Sequence, residues 1–300
     1  MIFESRPCPV CGSTDDSLVF AESNYDESKL TSYSFASRKL PELMHYRLIR
    51  CRQCSLLYAS PAPGRDYLKD AYNEASYDSA VEASDASRTY IKQLKAVLPK
   101  LPDLVGALDI GTGDGAFLAR LLEIGFSKVS GVEPSEAPIK AARSEVRNLI
   151  QHGIFSAGDY QPASFRLITC FQTMEHLSDP GSICAEAYNL LKSPGIFFIV
   201  SHNYRSLSAK IMGLKSPIYD IEHLQLFSPE SMRYLLKQSG FENVNVYPIA
   251  NSYPLQYWVK ILPLAMGAKN KILSFIKAAG LDGVRLPLRA GNMAAFGYKI

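Results

Sequence analysis

The sequence predicts an α/β protein with a doubly wound, seven-stranded, mostly parallel sheet and a small N-terminal annex. Three observations support this fold class. From about Ser84 to Val200, short apolar runs alternate with helical stretches, which is typical of βαβ units and a parallel sheet. A glycine-rich turn, Gly111 to Gly115, follows the first of these runs. Ahead of them, the first 80 residues carry two Cys-x-x-Cys pairs and show little periodicity.

Each predicted element rests on an apolar run or on a helical stretch with a stop signal. The first unit is the clearest, with a strand over 105–110, a turn, and a helix over 116–124. The helix over 228–238 stops at Gly240. The other predicted strands cover 128–132, 149–155, 167–171, 195–200, 244–247 and 293–298, and a further helix covers 182–191. We therefore divide the chain into an annex, 1–80, and a main domain, 81–300, with a helical insert at 255–290.

The composition is that of an ordinary globular protein. Of the 300 residues, 47% are hydrophobic and 20% are charged, which excludes wholesale disorder and a small disulfide scaffold. A net charge of +3 is too small for a nucleic-acid coat protein. No apolar run approaches the roughly 18 residues that cross a bilayer, and the first residues do not read as a signal peptide. We expect a cytoplasmic protein.

Acidic residues stand at the ends of three successive predicted strands. Asp109 lies two residues before Gly111, Glu133 ends the second strand, and Asp159 follows the third. A glycine turn lets backbone N–H groups approach a ligand, and this one also fits the dinucleotide fingerprint. A pyrophosphate would meet like charge at Asp109, whereas the ammonium and sulfonium groups of S-adenosylmethionine would meet opposite charge. Together the three acids favour a cationic nucleoside as the ligand. Each acid alone is also compatible with an ordinary role as a helix cap, a strand end or a turn residue.

The run from Ala107 to Phe117, with Glu133-Pro134-Ser135, resembles the class I S-adenosylmethionine-dependent methyltransferases. The segment 165–180, which contains Glu175-His176-Leu177, is similar to the fourth-strand segment of that family, although Arg166 replaces its usual Asp. The resemblance implies a Rossmann-like fold, S-adenosylmethionine as cofactor and methyl transfer as activity. The predicted cofactor contacts are Asp109, Gly111, Thr112, Gly113, Gly115, Glu133, Pro134, Asp159, Tyr160, Phe171 and Gln172.

Four of the six cysteines form the two pairs, Cys8 with Cys11 and Cys51 with Cys54. A reducing compartment disfavours disulfides, and four thiolates in a tetrahedron suit Zn²⁺ in a closed, structural site. The alternative is two pairs of free or redox-active thiols. We predict a zinc-ribbon-like annex that holds Tyr72 and Tyr77 over the cofactor cleft. Similar annexes occur in methyltransferases of sugar and polysaccharide pathways, and in some that act on ribosomal RNA.

Two histidines are candidates for the base of an O-methyl transfer. His176 follows the fourth strand, at the carboxyl edge where ligands bind in open α/β sheets. His223 lies in a segment that resembles a recurring segment of the family and that we expect to flank the acceptor pocket. His202 follows the fifth strand on the same edge. A histidine pKa near 6.5 suits a base, and a structural or capping role is the alternative for each of them.

The insert from Leu255 to Ala290 is basic and apolar. It carries six Lys or Arg residues against one acid, a net +5 in a chain of net +3. It suits a lid over the acceptor, a contact in a homodimer, or a contact with an anionic membrane surface. We favour the lid or the dimer contact; the third role would make the protein membrane-peripheral.

Three functions compete at this point. The leading hypothesis is methyl transfer from S-adenosylmethionine to a small molecule or a glycan, with O-methylation of a hydroxyl as the expected reaction. The second is an RNA methyltransferase whose zinc ribbon binds the RNA. Because residues 1–80 hold more acidic than basic residues, we expect no nucleic-acid partner. The third is a non-catalytic scaffold with a cofactor-binding fold.

Overall fold

The N-terminal part of the chain is a small sheet followed by two helices. A computed structural model describes residues 3–14, 17–36, 39 and 41–300. The second helix buries Ala86, Tyr90 and Leu94, whose spacing of four residues forms one apolar stripe. The elements are β1 (Phe3–Glu4), β2 (Ser17–Ala21), β3 (Leu48–Cys51), β4 (Leu57–Ala59), β5 (Ala62–Pro63), α1 (Arg65–Asn73) and α2 (Ala80–Lys95), with a short 3₁₀ turn over Glu27–Lys29.

The middle of the chain alternates strands and helices, which confirms the predicted βαβ units. The last of its helices begins where the sequence signals a start: the Asp179 carboxylate accepts the N–H of Ser182 at 2.9 Å, and Pro180 occupies the first turn. The elements are β6 (Val105–Ile110), α3 (Ala116–Glu123), β7 (Ser127–Glu133), α4 (Glu136–Ala141), α5 (Ser144–Arg147), β8 (Ile150–His152), β9 (Phe165–Phe171), α6 (Pro180–Leu190) and β10 (Leu191–His202).

The C-terminal part adds one long helix of the main domain, the insert and the last strands. Ser228 and Ser231 form a reciprocal capping box at the start of the long helix. The elements are α7 (Leu207–Met212), β11 (Gln225–Leu226), α8 (Pro229–Gln238), β12 (Glu242–Pro248), β13 (Asn251–Pro254), α9 (Leu255–Ile261), α10 (Met266–Ala278), β14 (Arg285–Leu288) and β15 (Asn292–Lys299). Within the described ranges, every helix is too short or too polar to traverse a lipid bilayer.

The central sheet has seven strands in the order β12-β15-β10-β9-β6-β7-β8. Strands β8, β7, β6, β9 and β10 run parallel, whereas β15 is antiparallel to both of its neighbours. The predicted fold class, a doubly wound and mostly parallel seven-stranded sheet, is therefore confirmed. Because the strand order reverses beside β6, the carboxyl ends of β6 and β9 leave a crevice there for a ligand.

Successive residues of the inner strands enter two different cores. Ala107 packs with α2 and α3, and its neighbour Leu108 packs with α6 and α8. The four annex cysteines belong to the same cluster as Leu108, so the annex packs directly against the main sheet. Both faces of the sheet are thus covered, which explains why its strands read as continuous apolar runs.

Three elements differ from their predicted form. The third strand is shorter than 149–155, since it ends before Gly153, whose φ of +149° breaks the strand conformation. The insert is not purely helical, because β14 pairs with β13 as a two-stranded ribbon. The four-stranded annex sheet, in the order β11-β4-β3-β2, takes its edge strand β11 from beyond residue 80. The boundary at residue 80 stays a prediction.

Candidate functional site

The glycine turn after β6 holds three residues in left-handed conformations. Gly111, Gly113 and Gly115 have φ values of +74°, +59° and +71°. A Cβ on Gly111 would lie 2.3 Å from Oγ1 of Thr173, so the turn packs tightly against the end of β9. A Cβ on Gly113 would meet nothing within 4 Å, because this residue borders a cavity. Glycine is therefore required for conformation at all three positions and for space at Gly111.

Two of the three predicted acids lie at this turn. The carboxylate of Asp109 is buried and accepts the hydroxyls of Thr112, at 2.8 Å, and Thr169, at 2.6 Å. The carboxylate of Glu133 accepts the backbone N–H groups of Gly113, at 2.8 Å, and Ser135, at 2.9 Å. Burial raises the pKa of Glu133 above its ordinary value, while these two N–H groups oppose the rise.

A cavity of about 890 Å³ opens at the carboxyl ends of β6, β7, β9 and β10. Its lining brings together most of the residues that the sequence selected, both cofactor contacts and histidines. Those residues are Asp109, Gly111, Thr112, Gly113, Glu133, Pro134, Phe171, Gln172, His176 and His223. Tyr72 and Tyr77 from the annex also border it, as predicted from the sequence.

Three predicted cofactor contacts do not line this cavity. Gly115 begins α3, and a Cβ there would lie 3.0 Å from the side chain of Val146. Asp159 accepts a hydrogen bond from the amide of Gln151 at 3.1 Å, and Tyr160 donates its hydroxyl to the same side chain at 3.2 Å. The chain after β8 instead borders the cavity with residues 153–155. The contacts of Asp159 and Tyr160 are thus made outside the cavity, and their role toward a cofactor stays a prediction.

Three histidines that line the same cavity form a row. The ring of His223 lies 5.0 Å from the ring of His176 and 5.0 Å from that of His202. Nδ1 of His223 lies 2.9 Å from the carbonyl oxygen of Ile218, and Nδ1 of His176 lies 3.0 Å from that of Glu222. A carbonyl only accepts, so Nδ1 of His223 carries hydrogen and its Nε2 keeps a lone pair. The ring of His176 interacts with the backbone of both Glu222 and Gln172.

Burial keeps these three rings neutral near pH 7. It lowers the pKa of His176 below the usual 6.5, lowers that of His223 well below it, and lowers that of His202 to about 4. Nδ1 of His202 lies 2.9 Å from Oδ1 of Asn292, which also borders the cavity. Nε2 of His223 lies 3.7 Å from the carboxylate of Glu222, close enough to stabilise a proton that arrives on the ring.

The annex contributes directly to the histidine row. The hydroxyl of Tyr72, on α1, donates to the carbonyl of Glu222 at 3.0 Å and lies 2.9 Å from Nδ1 of His176. The Tyr72 carbonyl accepts the hydroxyl of Ser135 at 2.6 Å, beside Glu133. Burial raises the pKa of Tyr72 well above its usual range, so the phenol stays protonated. A chain of hydrogen bonds therefore runs from the glycine turn through the annex to the histidines.

A buried ion pair fixes a second annex segment beside the same row. Nζ of Lys39 lies 3.2 Å from the carboxylate of Asp220, and both side chains are 2% exposed. The same carboxylate accepts the backbone N–H of Glu42 at 3.1 Å. Asp220 is three residues from His223, so the loop that carries this histidine is held by the annex. Burying either charge without the other would be costly, so Lys39 and Asp220 must lie next to each other in the folded protein.

Two buried polar atoms of the lining have no hydrogen-bond partner among residues 3–14, 17–36, 39 and 41–300. They are Nε2 of Gln172 and Oδ1 of Asn251. A buried polar atom without a partner is costly, and a polar ligand in the cavity would satisfy both. The apolar part of the lining includes Tyr257, Trp258 and Ile261 from α9, so the insert forms one wall of the site.

Sequence reasoning missed several residues of this site. Asn251 follows the predicted strand over 244–247, and Asn292 precedes the one over 293–298. At such positions a single Asn is typical of a turn. Glu222 belongs to the segment around His223, but the sequence did not single it out as a site residue. Glu175, from the Glu-His pair, is fully buried away from the cavity lining, where it accepts the hydroxyl of Ser201 at 2.8 Å and the backbone N–H of His202. Glu175 therefore positions the end of β10. The Glu-His pair in the sequence did not indicate this contact.

The four annex cysteines form one cluster. Their sulfur atoms all lie within 4.8 Å of one another, with 3.5 Å between Cys8 and Cys54 and 3.5 Å between Cys11 and Cys51. Four thiolates at ~2.3 Å from a tetrahedral zinc ion would lie roughly 3.8 Å apart, so the donor set fits this metal. The pKa directions differ within the cluster, since a hydrogen bond from Cys54 lowers the pKa of Cys8 to about 5 whereas burial raises that of Cys11 to about 11.

Comparison with known proteins identifies the family of the main domain. Residues 83–246, more than half of the chain, match the profile of a family described as "Methyltransferase domain". A ubiquinone biosynthesis O-methyltransferase of Thiobacillus denitrificans is 28% identical over 148 residues, which are 45% of this chain and 63% of that protein. One of Vibrio atlanticus is 25% identical over 183 residues, which are 54% of this chain and 77% of that protein.

Among solved structures, a SAM-dependent methyltransferase of Thermotoga maritima, described as a possible histamine N-methyltransferase, is 20% identical with a TM-score of 0.49. The match covers 74% of this chain and 93% of that one. This chain spans less than two thirds of the first of the two curated relatives, and the family match covers the chain from α2 into β12. On this match, the chain belongs to the methyltransferase-domain family.

Proposed function

We propose that this protein transfers the methyl group of S-adenosylmethionine to an oxygen atom of a small-molecule acceptor. One observation carries the proposal. A single cavity is lined both by the glycine turn with its two acids, Asp109 and Glu133, and by the row of neutral histidines. The glycine turn and its acids suit a cationic nucleoside, and the histidines suit the removal of a proton from an acceptor.

The residues at the glycine turn fit this cofactor. Each carboxylate oxygen has two acceptor positions, so Glu133 retains capacity for ribose hydroxyls after bonding Gly113 and Ser135. The buried charge of Asp109 favours a cation nearby, and Gly113 leaves open space at the cavity surface. The amide of Gln172 offers a buried donor without a partner among the described residues.

His176 and His223 are the proposed bases. Bound S-adenosylmethionine supplies a methyl group on a positively charged sulfur, which leaves as a neutral thioether. The acceptor oxygen forms the new bond to the methyl carbon as the carbon–sulfur bond breaks, and the hydroxyl proton passes to Nε2 of one of these histidines. Tyr72 and the carbonyls of Ile218 and Glu222 hold the two rings in orientation.

The choice of oxygen as the methylated atom is supported by the names of the relatives, which are O-methyltransferases. The neutral histidines agree with this choice, because a hydroxyl needs a base and a free amine does not. A glycan as acceptor, suggested by the resemblance of the annex to those of sugar-pathway enzymes, remains a narrower form of the same proposal. The wall formed by α9 would cover such an acceptor as a lid.

We also propose that the cysteine cluster binds a structural zinc ion. All four positions of a tetrahedral metal would be filled by Cys8, Cys11, Cys51 and Cys54, which leaves none for water or substrate. Such a site stabilises the annex and takes no part in methyl transfer. Through the annex it would hold Tyr72 and Lys39 against the histidine row.

Transfer of label from methyl-labelled S-adenosylmethionine tests the proposed function. We expect the wild-type protein to label the small-molecule fraction of a cell extract, and the Asp109→Ala variant to lose both labelling and cofactor binding in calorimetry. Label in RNA would instead favour the RNA methyltransferase. Absence of cofactor binding and of label in every fraction would leave only the non-catalytic scaffold.

A further inference from the structure

The exposed apolar side chains are unevenly distributed over the surface. Of the 20 large hydrophobic residues that are exposed in the described part of the chain, 12 lie in two short segments, 207–214 and 262–288. Ile211 is 75% exposed and Phe275 is 68% exposed, values that are costly for large apolar side chains in water. A concentration of this kind marks an interaction surface.

The two segments adjoin each other at the mouth of the cavity. The N–H of Asn203 donates to the carbonyl of Gly291 at 2.7 Å, which places the chain leading into α7 beside the end of the insert. Leu262 and Leu288 are each 41% exposed and also line the cavity, as does Met212 of α7. We call the exposed residues of 207–215 and 260–289 the mouth patch.

The mouth patch is also strongly basic. Residues 207–215 contain Lys210 and Lys215 and no acid, and the insert has a net charge of +5. Together they carry a formal +7 in a chain of net +3, so the rest of the chain has a net charge of −4. Arg285 is paired with Asp85 of α2, which leaves six unbalanced positive charges. On α10, which has no acidic residue, Ala268, Ile272 and Phe275 are exposed at a spacing of i, i+4 and i+7 and so share one face.

We propose that the mouth patch docks on the surface of an anionic lipid bilayer. Exposed apolar side chains on segments with a strong excess of lysine and arginine match the interfacial and headgroup layers of such a surface. A second copy of the chain fits poorly, because a symmetric contact through this patch would oppose two surfaces of like charge. Docking would turn the cavity mouth toward the bilayer, so that an amphiphilic acceptor enters without crossing water.

Vesicle co-sedimentation of the full-length protein tests the proposal. We expect binding to vesicles of phosphatidylcholine with about 30 mol% phosphatidylglycerol, at least about tenfold weaker binding to phosphatidylcholine alone, and loss of binding at high salt. The test variant is Lys271→Glu/Phe275→Ser/Lys277→Glu, on α10. None of these residues lines the cavity. We expect it to bind anionic vesicles at least about tenfold more weakly than wild type.

The matched control is Val81→Ser/Lys92→Glu/Lys95→Glu, which makes the same chemical changes on exposed positions of α2. It should bind vesicles as the wild type does. Calorimetry with S-adenosylmethionine on both variants separates this proposal from the proposed function. Equal vesicle binding by both variants would overturn the proposal. So would a dimer in sedimentation velocity that the α10 variant abolishes, or equal binding to neutral and anionic vesicles.

Discussion

At the residue scale, Glu133 binds the backbone of the glycine turn. Its two oxygens already accept the N–H groups of Gly113 and Ser135, and burial raises its pKa. The residue therefore fixes the turn in the free protein and offers its remaining acceptor positions to a ligand. A single side chain thus connects the local conformation of the turn with recognition of the cofactor.

The Glu133→Gln variant should bind S-adenosylmethionine at least about tenfold more weakly, because an amide cannot accept at both ends and its NH₂ group would face a backbone N–H. Isothermal titration calorimetry measures the affinity. The matched control is Glu136→Gln, an exposed carboxylate three residues away that pairs with Lys140 on the surface. An affinity for Glu133→Gln equal to that of the control would contradict this role.

The histidine row predicts how the reaction depends on pH. Burial places the pKa of His176 and of His223 below 6.5, so both are neutral and able to accept a proton at pH 7. Protonation removes the lone pair, so the rate should be constant above about pH 7 and fall only on the acid side, below 6.5.

Replacing the base should remove this acid limb. We expect one of His176→Gln and His223→Gln to lower kcat by about 100-fold and to flatten its pH profile. His152→Gln, at an exposed histidine outside the cavity lining, is the control and should keep the wild-type profile. If both histidine variants retain the wild-type profile, neither residue is the base.

At the level of secondary-structure elements, the annex and the main domain are joined more closely than their order along the chain suggests. Strand β11 completes the annex sheet by pairing with β4, and α1 brings Tyr72 to His176. Cys51 ends β3 and Cys54 precedes β4, so a metal held by the cluster would join these strands to the segment of Cys8 and Cys11. Metal binding would therefore stabilise the annex and, through it, the site.

Loss of one cysteine ligand should release the metal and lower the melting temperature. We expect Cys51→Ser to contain no zinc by elemental analysis and to melt at least about 5 °C below wild type. Cys184→Ser is the control, since Cys184 is buried in the same apolar cluster but lies outside the group of four. It should keep one zinc ion per chain. Equal zinc content in the two variants would disprove the site.

At the scale of the whole molecule, the insert is tied to the rest of the domain by a pair of strands and an ion pair. Strand β14 pairs with β13, and Arg285 contacts the carboxylate of Asp85 on α2. The side chain of Asp85 is 2% exposed, so its charge depends on this partner. This contact holds the wall of the cavity that α9 provides.

Removing the arginine should destabilise the protein, because it leaves a buried carboxylate without its closest cation. We expect Arg285→Met to lower the free energy of unfolding by about 2 kcal/mol in urea denaturation. Arg88→Met is the matched control. Its guanidinium lies 3.7 Å from the same carboxylate and its side chain is 58% exposed, so the loss should be below about 1 kcal/mol. Equal losses in the two variants would contradict the buried role of Asp85.

Much of the fold was accessible from local patterns. The strands at 105–110 and 165–171 and the helix at 116–123 agree with their predicted positions within two residues, since apolar runs and caps are encoded nearby in the chain. Arg166, near the start of β9, binds Asp103 at 3.0 Å, and neither residue lines the cavity. The strand at β14 was missed, because its pairing with β13 is not local.

The sequence by itself determined the parallel sheet, the glycine turn with Asp109 and Glu133, and the grouping of four cysteines, because each depends on spacing along the chain. Only the tertiary structure decided that Asp159 bonds Gln151 outside the cavity, that the Tyr72 hydroxyl contacts His176, and that Asn251 and Asn292 reach the site. These side chains are separated by long stretches of sequence, and their directions depend on how the annex and the insert pack on the sheet. No periodicity along the chain encodes that packing.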